Sequence, residues 1–168
     1  MVPFSKLDKL KFLLFDLHGV VLYDNENAAG QTHIENSLEL LQTDLERIYR
    51  LGLKCGVISG SEDDVIINRI REMGIEEVFS HSLDKVSQAE KLLRKHNLTY
   101  ENIGYVGDDI LDIPLLMKTG FSAAPREARR EVKRIVNYVT RNTKERTVLS
   151  DILEMITKAK ESGLNDSR

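Results

Sequence analysis

Cysteine, proline and glycine are scarce in this 168-residue sequence, which has one Cys, three Pro and ten Gly. The single cysteine, Cys55, excludes an internal disulfide and any zinc site built from several cysteines, and it fits a reducing compartment. No apolar run approaches the ~20 residues that a membrane-spanning helix needs. The remaining composition, 41% apolar and 30% charged, is that of an ordinary soluble globular protein.

A strong net charge of either sign is also absent. The 24 basic and 27 acidic residues leave a net charge of −3, so no global field recruits nucleic acid or an anionic membrane. The first residues, MVPFSKLDKLK, carry charge where a secretory signal peptide needs its apolar centre. We therefore expect a cytoplasmic protein with no nucleic-acid or membrane partner.

Short β-rich runs alternate along the chain with longer amphipathic runs. The predicted strands are Lys11–Phe15, Lys54–Ile58, Glu77–Ser80, Asn102–Val106, Gly120–Ala124 and Tyr138–Thr140. The predicted helices are Leu38–Leu51, Glu62–Met73, Asp84–His96, Ile110–Thr119, Arg126–Ile135 and Val148 to about Lys160. This alternation predicts an α/β fold, a doubly wound and mostly parallel sheet with helices on both faces.

The length suits one domain with a full hydrophobic core, which we place at residues 1–162, followed by a disordered tail at 163–168. One segment interrupts the strand–helix pattern. Residues 20–37 are long for a strand–helix loop and contain Gly30 near their middle. We interpret them as a β-hairpin flap after the first strand, because loops of that length are often functional.

Polar residues follow four of the predicted strands where each strand ends. They are Asp16, Ser59-Gly60, Asp84-Lys85 and the run GDDILD at 107–112. Any one of them alone would more often be a helix cap or a solvated charge. Because ligands bind beyond the carboxyl ends of parallel strands, four such clusters together predict one site.

The chemistry that fits this set is phosphoryl transfer through an aspartyl intermediate. Asp16 is the expected nucleophile, and Mg²⁺ would screen its charge from the phosphate, held by Asp16, Asp108 and the backbone carbonyl of His18. Ser59 and Gly60 would bind the phosphate through a hydroxyl and backbone N–H groups at a helix start. Lys85 would neutralise charge that develops on the transferring group.

Four motifs, DLHGVV, VISGS, the lysine of DK and GDDILD, resemble the haloacid dehalogenase superfamily. The runs MGIEEVFSHSLDK and YVGDDILDIPLLMKTGFSAAP are similar to its small, cap-lacking branch of 3-deoxy-D-manno-octulosonate 8-phosphate phosphatases and the phosphatase-like domains of acylneuraminate cytidylyltransferases. The resemblance implies a Mg²⁺-dependent homotetramer that hydrolyses a small sugar-acid phosphate. It assigns the catalytic residues Asp16, Ser59 and Lys85, the metal ligand Asp108 and the supporting acids Asp109 and Asp112.

His18 is the first departure from this family, which has an acid–base Asp at that position. A histidine titrates near neutral pH, so it can donate a proton to a leaving alkoxide and then take one from water. A nearby cation disfavours the protonated ring, and we therefore expect slow turnover. The alternative interpretation is that His18 is a relic in a degenerate site.

Two further segments depart from the family pattern. Leu40-Leu41-Gln42 stands where an Arg-Asp-Gly-like stretch is usual before the first helix, and RNTKERTVLSDIL replaces a Gly-Gly-rich segment. These departures keep a second hypothesis open, a non-catalytic, oligomer-forming domain. A two-component receiver domain is disfavoured, because its acidic pair would follow the first strand. The basic run Arg126–Arg134 is interpreted as a solvated helix face.

Overall fold

The computed structural model describes residues 4–22, 30–141 and 146–165, with side chains over 6–22, 33–141 and 146–162. The strands are β1 (Phe12–Phe15), β2 (Lys54–Ile58), β3 (Glu77–Phe79), β4 (Ile103–Val106), β5 (Phe121–Ala124) and β6 (Tyr138–Val139). The helices are α1 (Phe4–Leu7), α2 (Gly30–Arg50), α3 (Asp64–Glu72), α4 (Lys85–His96), α5 (Ile113–Leu116), α6 (Arg130–Lys133) and α7 (Val148–Asn165). Single 3₁₀ turns precede β4 at Tyr100–Asn102 and α5 at Ile110–Asp112.

The six strands form one sheet in the order β3-β2-β1-β4-β5-β6, and every pair is parallel. The predicted doubly wound α/β fold is confirmed. The chain runs outward from β1 to β3, then returns to β4 beside β1, so the order reverses between β1 and β4. This order also excludes the receiver domain, whose flavodoxin-like sheet follows the order 2-1-3-4-5.

Side chains of β1 alternate between two apolar layers, one on each face of the sheet. Leu13 and Phe15 pack with the buried residues of α2, α3 and α7. Phe12 and Leu14 pack with those of α4, α5 and α6. All four side chains are fully buried, which explains why the strand is a continuous apolar run rather than an alternating one.

The predicted flap at residues 20–37 is wrong from Gly30 onward, where α2 has already begun. The apolar spacing that defines the helix extends back beyond Leu38 to Ile34, which packs against the same core layer. Val20 to Leu22 form a turn closed by an isolated bridge between His18 and Leu22. The middle of the predicted flap, residues 23–29, lies outside the described residues.

Other helix boundaries also differ from the sequence-based prediction. The predicted helix Ile110–Thr119 is a 3₁₀ turn followed by the short helix α5, which ends at Leu116. The segment Arg126–Ile135 contains only the short helix α6, because a turn over Pro125–Ala128 precedes it. Helix α7 continues to Asn165, past the predicted end near Lys160 and into the segment predicted as a disordered tail. The Ser162 hydroxyl bonds to the Lys158 carbonyl one turn earlier, as in a continuing helix. No helix within the described residues is long and apolar enough to span a membrane.

Candidate active site

A cavity of about 570 Å³ opens at the carboxyl ends of β1, β2 and β4. The order reversal between β1 and β4 leaves a crevice at this edge, because the connections on its two sides run to opposite faces of the sheet. The cavity is lined by Asp16, His18, Gly19, Ser59, Gly60, Ser61, Leu83, Lys85, Asp108, Asp109, Leu111 and Glu127. The four polar clusters predicted from the strand ends therefore each contribute to one cavity.

Asp16 and Lys85 form a buried ion pair at this cavity. Asp16 follows β1 directly, and its backbone N–H donates to the Val106 carbonyl of β4 at 3.0 Å. Lys85, the first residue of α4, places its Nζ 2.5 Å from Asp16 Oδ2 and 2.6 Å from Asp112 Oδ1. The lysine thus bridges two carboxylates whose parent loops follow β1 and β4.

Asp112 is fully buried and accepts four hydrogen bonds from described residues. Its Oδ1 accepts from Lys85 Nζ and, at 2.5 Å, from the Tyr105 hydroxyl. Its Oδ2 accepts from the backbone N–H groups of Asp108 and Asp109 at 2.9 and 3.0 Å. Because a carboxylate offers about four lone-pair positions, Asp112 has little capacity left for a cation. Its role is to hold Lys85 and the 107–112 loop together.

Asp108 and Asp16 are the carboxylates that fit a metal ion best. Ligand oxygens of Asp16, Asp108 and Asp112 all lie within 4.8 Å of one another. No residue in the described ranges donates a hydrogen bond to the Asp108 carboxylate, in contrast to Asp112. Gly19, at φ +74°, gives it room, since a Cβ there would lie 2.0 Å from Asp108 Oδ2. An all-oxygen set of this kind suits a hard divalent cation.

Burial and the charges of neighbouring groups together raise the pKa values of Asp16, Lys85 and Asp108. Burial, together with the carboxylates of Asp112 and Asp16, raises the pKa of Asp108 to about 6. Burial also raises the pKa of Asp16, which the adjacent Lys85 ammonium partly offsets. Burial alone would lower the pKa of Lys85, but Asp112 and Asp16 raise it above its usual value. The lysine therefore stays protonated, and added positive charge would favour ionised Asp108.

Ser59 and Gly60 line the cavity, but not at a helix start as predicted. Helix α3 begins only at Asp64, and the Asp63 side chain caps it by accepting from the Val65 and Ile66 N–H groups. Ser59 is fully buried, and its Oγ accepts from Ser61 N at 3.1 Å. Phosphate contacts at this position would come from the loop after β2 rather than from the α3 N-terminus.

His18 and Asp109 lie at the open side of the cavity. His18 is exposed, in the turn after Asp16 that the Gly19 N–H closes by donating to the Leu22 carbonyl at 2.8 Å. Asp109 accepts from Ile110 N and pairs with Arg129 Nε at 2.8 Å. All of the residues singled out from the sequence thus lie at this cavity except Asp112, which lies buried behind Lys85.

A family model described as a haloacid dehalogenase-like hydrolase matches residues 60–152, more than half of the chain. The chain belongs to this family. The predicted resemblance is confirmed, as is the prediction of a hydrolase. Among its relatives, the 3-deoxy-D-manno-octulosonate 8-phosphate phosphatase KdsC of Haemophilus influenzae is 27% identical over 161 residues, covering 92% of this chain and 87% of the relative.

Solved structures of such phosphatases share the fold of this haloacid dehalogenase-like hydrolase. The cobalt-bound deoxy-D-mannose-octulosonate 8-phosphate phosphatase of H. influenzae is 26% identical with a TM-score of 0.76, over 92% of this chain and 91% of that chain. The Moraxella catarrhalis phosphatase, in complex with magnesium, phosphate and KDO, is 20% identical with a TM-score of 0.75, over 93% and 90%. The second likeness shows the fold alone.

Sequence reasoning missed two residues that contact the acidic groups of this hydrolase. Tyr105 lies in the apolar run of β4, where nothing distinguishes a phenol that reaches the site from an ordinary core side chain. Arg129 lies in the basic run that was interpreted as a solvated helix face, yet it pairs with Asp109, and its N–H donates to the Asp108 carbonyl. Only the fold brings this turn after β5 against the 107–112 loop.

Proposed function

We propose that this chain is a Mg²⁺-dependent phosphomonoester hydrolase that acts on a small sugar-acid phosphate through an aspartyl-phosphate intermediate. The observation that carries the proposal is the position of Asp16 at the cavity, with Lys85 Nζ 2.5 Å from one of its oxygens and Asp108 within the same carboxylate cluster. A carboxylate nucleophile, a fixed cation and a metal-binding acid are what phosphoryl transfer to an aspartate requires.

In the first step, a carboxylate oxygen of Asp16 attacks phosphorus and the bond from phosphorus to the ester oxygen breaks. The leaving alkoxide takes a proton from the His18 imidazolium, and Asp16 carries the phosphoryl group. In the second step, a water molecule gives a proton to neutral His18 and attacks phosphorus, which releases inorganic phosphate and restores Asp16. Lys85 and the Ser59 hydroxyl neutralise and orient the phosphoryl oxygens in both steps.

Asp16, Asp108 and the backbone carbonyl of His18 would hold Mg²⁺. When bound, the ion supplies positive charge that reduces the repulsion between the anionic nucleophile and the anionic substrate. Asp112 supports these ligands from the buried side of the site. It accepts hydrogen bonds from Lys85 and from the backbone N–H groups of Asp108 and Asp109. Asp109 supports the loop from outside through Arg129.

The sugar-acid class of substrate is proposed from the relatives. The phosphatase of H. influenzae, whose name states 3-deoxy-D-manno-octulosonate 8-phosphate as its substrate, aligns with 92% of this chain. A cavity of about 570 Å³ is within the size range of sites for small metabolites. We therefore propose a phosphorylated sugar acid of this size as the substrate.

The test is release of inorganic phosphate from a panel of sugar-acid phosphates with Mg²⁺ by the wild type, Asp16→Asn and His18→Asp. We expect slow hydrolysis by the wild type and none by Asp16→Asn, because the amide is not a nucleophile at phosphorus. We expect His18→Asp to be faster, because it restores the acid–base aspartate that the family resemblance implies at this position.

The outcomes separate the proposal from the non-catalytic alternative. Hydrolysis that survives in Asp16→Asn would contradict the mechanism. An inactive wild type with an active His18→Asp variant would mean that the fold is competent and that His18 silences it. No hydrolysis by any of the three forms would favour the oligomer-forming, non-catalytic domain.

A further inference from the structure

The Tyr105 hydroxyl is the one phenol within the described residues that contacts the acidic cluster. Tyr105 belongs to β4, and its ring is fully buried in the apolar layer beside Phe12 and Leu14. From that layer the hydroxyl reaches Asp112 Oδ1 at 2.5 Å, the same oxygen that accepts from Lys85 Nζ at 2.6 Å. The sheet core and the catalytic lysine therefore meet at one carboxylate oxygen.

We propose that Tyr105 is a positioning residue that acts through Asp112 to hold Lys85 against the nucleophile. The proposal rests on the proposed function above, because it deepens the role of the lysine in that site. Within the described residues Lys85 has two carboxylate partners, Asp16 and Asp112, and of the two only Asp112 accepts a hydrogen bond from a core side chain, Tyr105. Tyr105 fixes the position of Asp112, the anchor of Lys85.

The geometry explains why an anchor is needed. When Asp16 bonds to phosphorus its carboxylate loses its negative charge, which weakens its ion pair with Lys85. Lys85 then depends on Asp112 to stay at the phosphoryl oxygens. Two backbone N–H groups fix the Asp112 side chain on Oδ2, and on Oδ1 Tyr105 is the one donor besides the lysine among the residues that the structure describes. A buried donor of this kind orients a charged group in a dry site.

Tyr105→Phe removes the hydroxyl and retains the buried ring. We expect kcat to fall about tenfold, the order of effect of one hydrogen bond to a charged group, with KM and Mg²⁺ affinity within about twofold of wild type. Tyr100→Phe is the matched control, since the Tyr100 hydroxyl contacts Glu90 at 3.5 Å away from the cavity. It should leave kcat unchanged.

A second measurement tests the proposal without activity. The Lys85 ammonium group is buried, so its NMR signal should be visible in the wild type and in Tyr100→Phe. In Tyr105→Phe we expect this signal to exchange with water several times faster, because Asp112 holds the lysine less firmly. A double-mutant cycle with Asp112→Asn then tests whether Tyr105 acts on Lys85 through Asp112. In the Asp112→Asn background, Tyr105→Phe should change the exchange rate little.

The outcomes distinguish this proposal from the proposed function. If the wild type hydrolyses no substrate, the proposed function fails. The exchange rate of the Lys85 signal alone then decides whether Tyr105 positions Lys85. A Tyr105→Phe variant with unchanged kcat and unchanged exchange would overturn the inference. A rise in KM, or a loss of Mg²⁺ affinity, as large as the fall in kcat would also overturn it, because that pattern indicates general distortion of the site.

Discussion

Gly19 shows how closely single residues are fitted to one another in this site. It has φ +74°, a left-handed conformation, and it lies where a Cβ would meet all three outer atoms of the Asp108 side chain within 2.9 Å. Both constraints demand glycine, and only the second concerns Asp108, the proposed metal ligand. The motif DLHGVV could suggest the turn, but the contact with Asp108, almost 90 residues away, could not be predicted from the sequence.

Gly19→Ala should lose Mg²⁺ affinity as well as stability. The left-handed backbone costs ~1 kcal/mol for a non-glycine residue, and the new Cβ displaces the Asp108 carboxylate, so we expect Mg²⁺ to bind at least about tenfold more weakly. Calorimetric titration with Mg²⁺ and thermal unfolding measure the two effects.

Gly52→Ala is the control for the backbone term. Gly52 has nearly the same φ, +73°, and a Cβ there meets nothing within 4 Å. This variant should lose similar stability from the backbone and keep the Mg²⁺ affinity of the wild type. Equal Mg²⁺ affinities of the two variants would refute the contact with Asp108 as the reason for glycine at position 19.

At the scale of elements, strands were easier to predict than the segments between them. All six predicted strands are present, and their boundaries differ by at most one residue at each end. Strands buried on both faces, such as Phe12–Phe15, are short apolar runs, and this local signal survives in the folded protein. The start of α2 was missed because Gly30 was taken to mark a turn, whereas it is the first residue of the helix.

Contacts between side chains of different elements were also not predictable from the sequence. Asp44 of α2 is buried, accepts from Thr147 Oγ1 at 2.5 Å, and lies 3.5 Å from Arg47 Nη1. Thr147 in turn accepts from Ser150 N and caps the start of α7. A helical aspartate on an amphipathic pattern gives no sign of this link to a residue 103 positions later.

Asp44→Asn should stabilise the protein at neutral pH. Burial raises the pKa of Asp44 despite Thr147 and Arg47, so ionised Asp44 lowers stability as the pH rises through its folded pKa. The amide keeps an acceptor for Thr147 and carries no charge. We expect a melting temperature a few degrees higher than wild type near pH 7 and no gain near pH 3, where both forms are neutral.

Asp44→Ala is the matched control, because it removes the charge together with the acceptor. It should be less stable than Asp44→Asn at every pH, since Thr147 then loses its buried partner. A lower melting temperature of Asp44→Asn than of wild type near pH 7 would mean that the ion pair with Arg47 outweighs the cost of burial.

At the scale of the whole molecule, the strand order is what assembles the site. Asp16 and Asp108 are far apart in sequence and come together because β1 and β4 are neighbours with Phe15 in register with Val106. The position of these carboxylates at the ends of predicted parallel strands indicated that they share a site. The periodicity of apolar residues predicts strands but not which strand lies beside which. The contacts of Tyr105 and Arg129 depend on that order and were therefore not predictable.

We further propose that four copies of the chain assemble, as the resemblance implies. Large apolar side chains are exposed around the cavity mouth, where Leu83 is 69% and Leu111 is 53% exposed, and a neighbouring subunit would cover them. Light scattering after size-exclusion chromatography should give the mass of a tetramer, about four times 19.2 kDa. Elution as a monomer at micromolar concentration would contradict this proposal.

The most direct test of the account is to trap the phosphoryl group on Asp16. Wild-type protein would be mixed with Mg²⁺ and a sugar-acid phosphate that it hydrolyses, and the reaction would be quenched within one turnover. Reduction with borohydride then converts an aspartyl phosphate to homoserine. Mass spectrometry of the peptide that contains Phe15–Leu17 should then find homoserine at position 16. Phosphate release with unmodified Asp16, or with homoserine at another aspartate such as Asp108, would contradict Asp16 as the nucleophile.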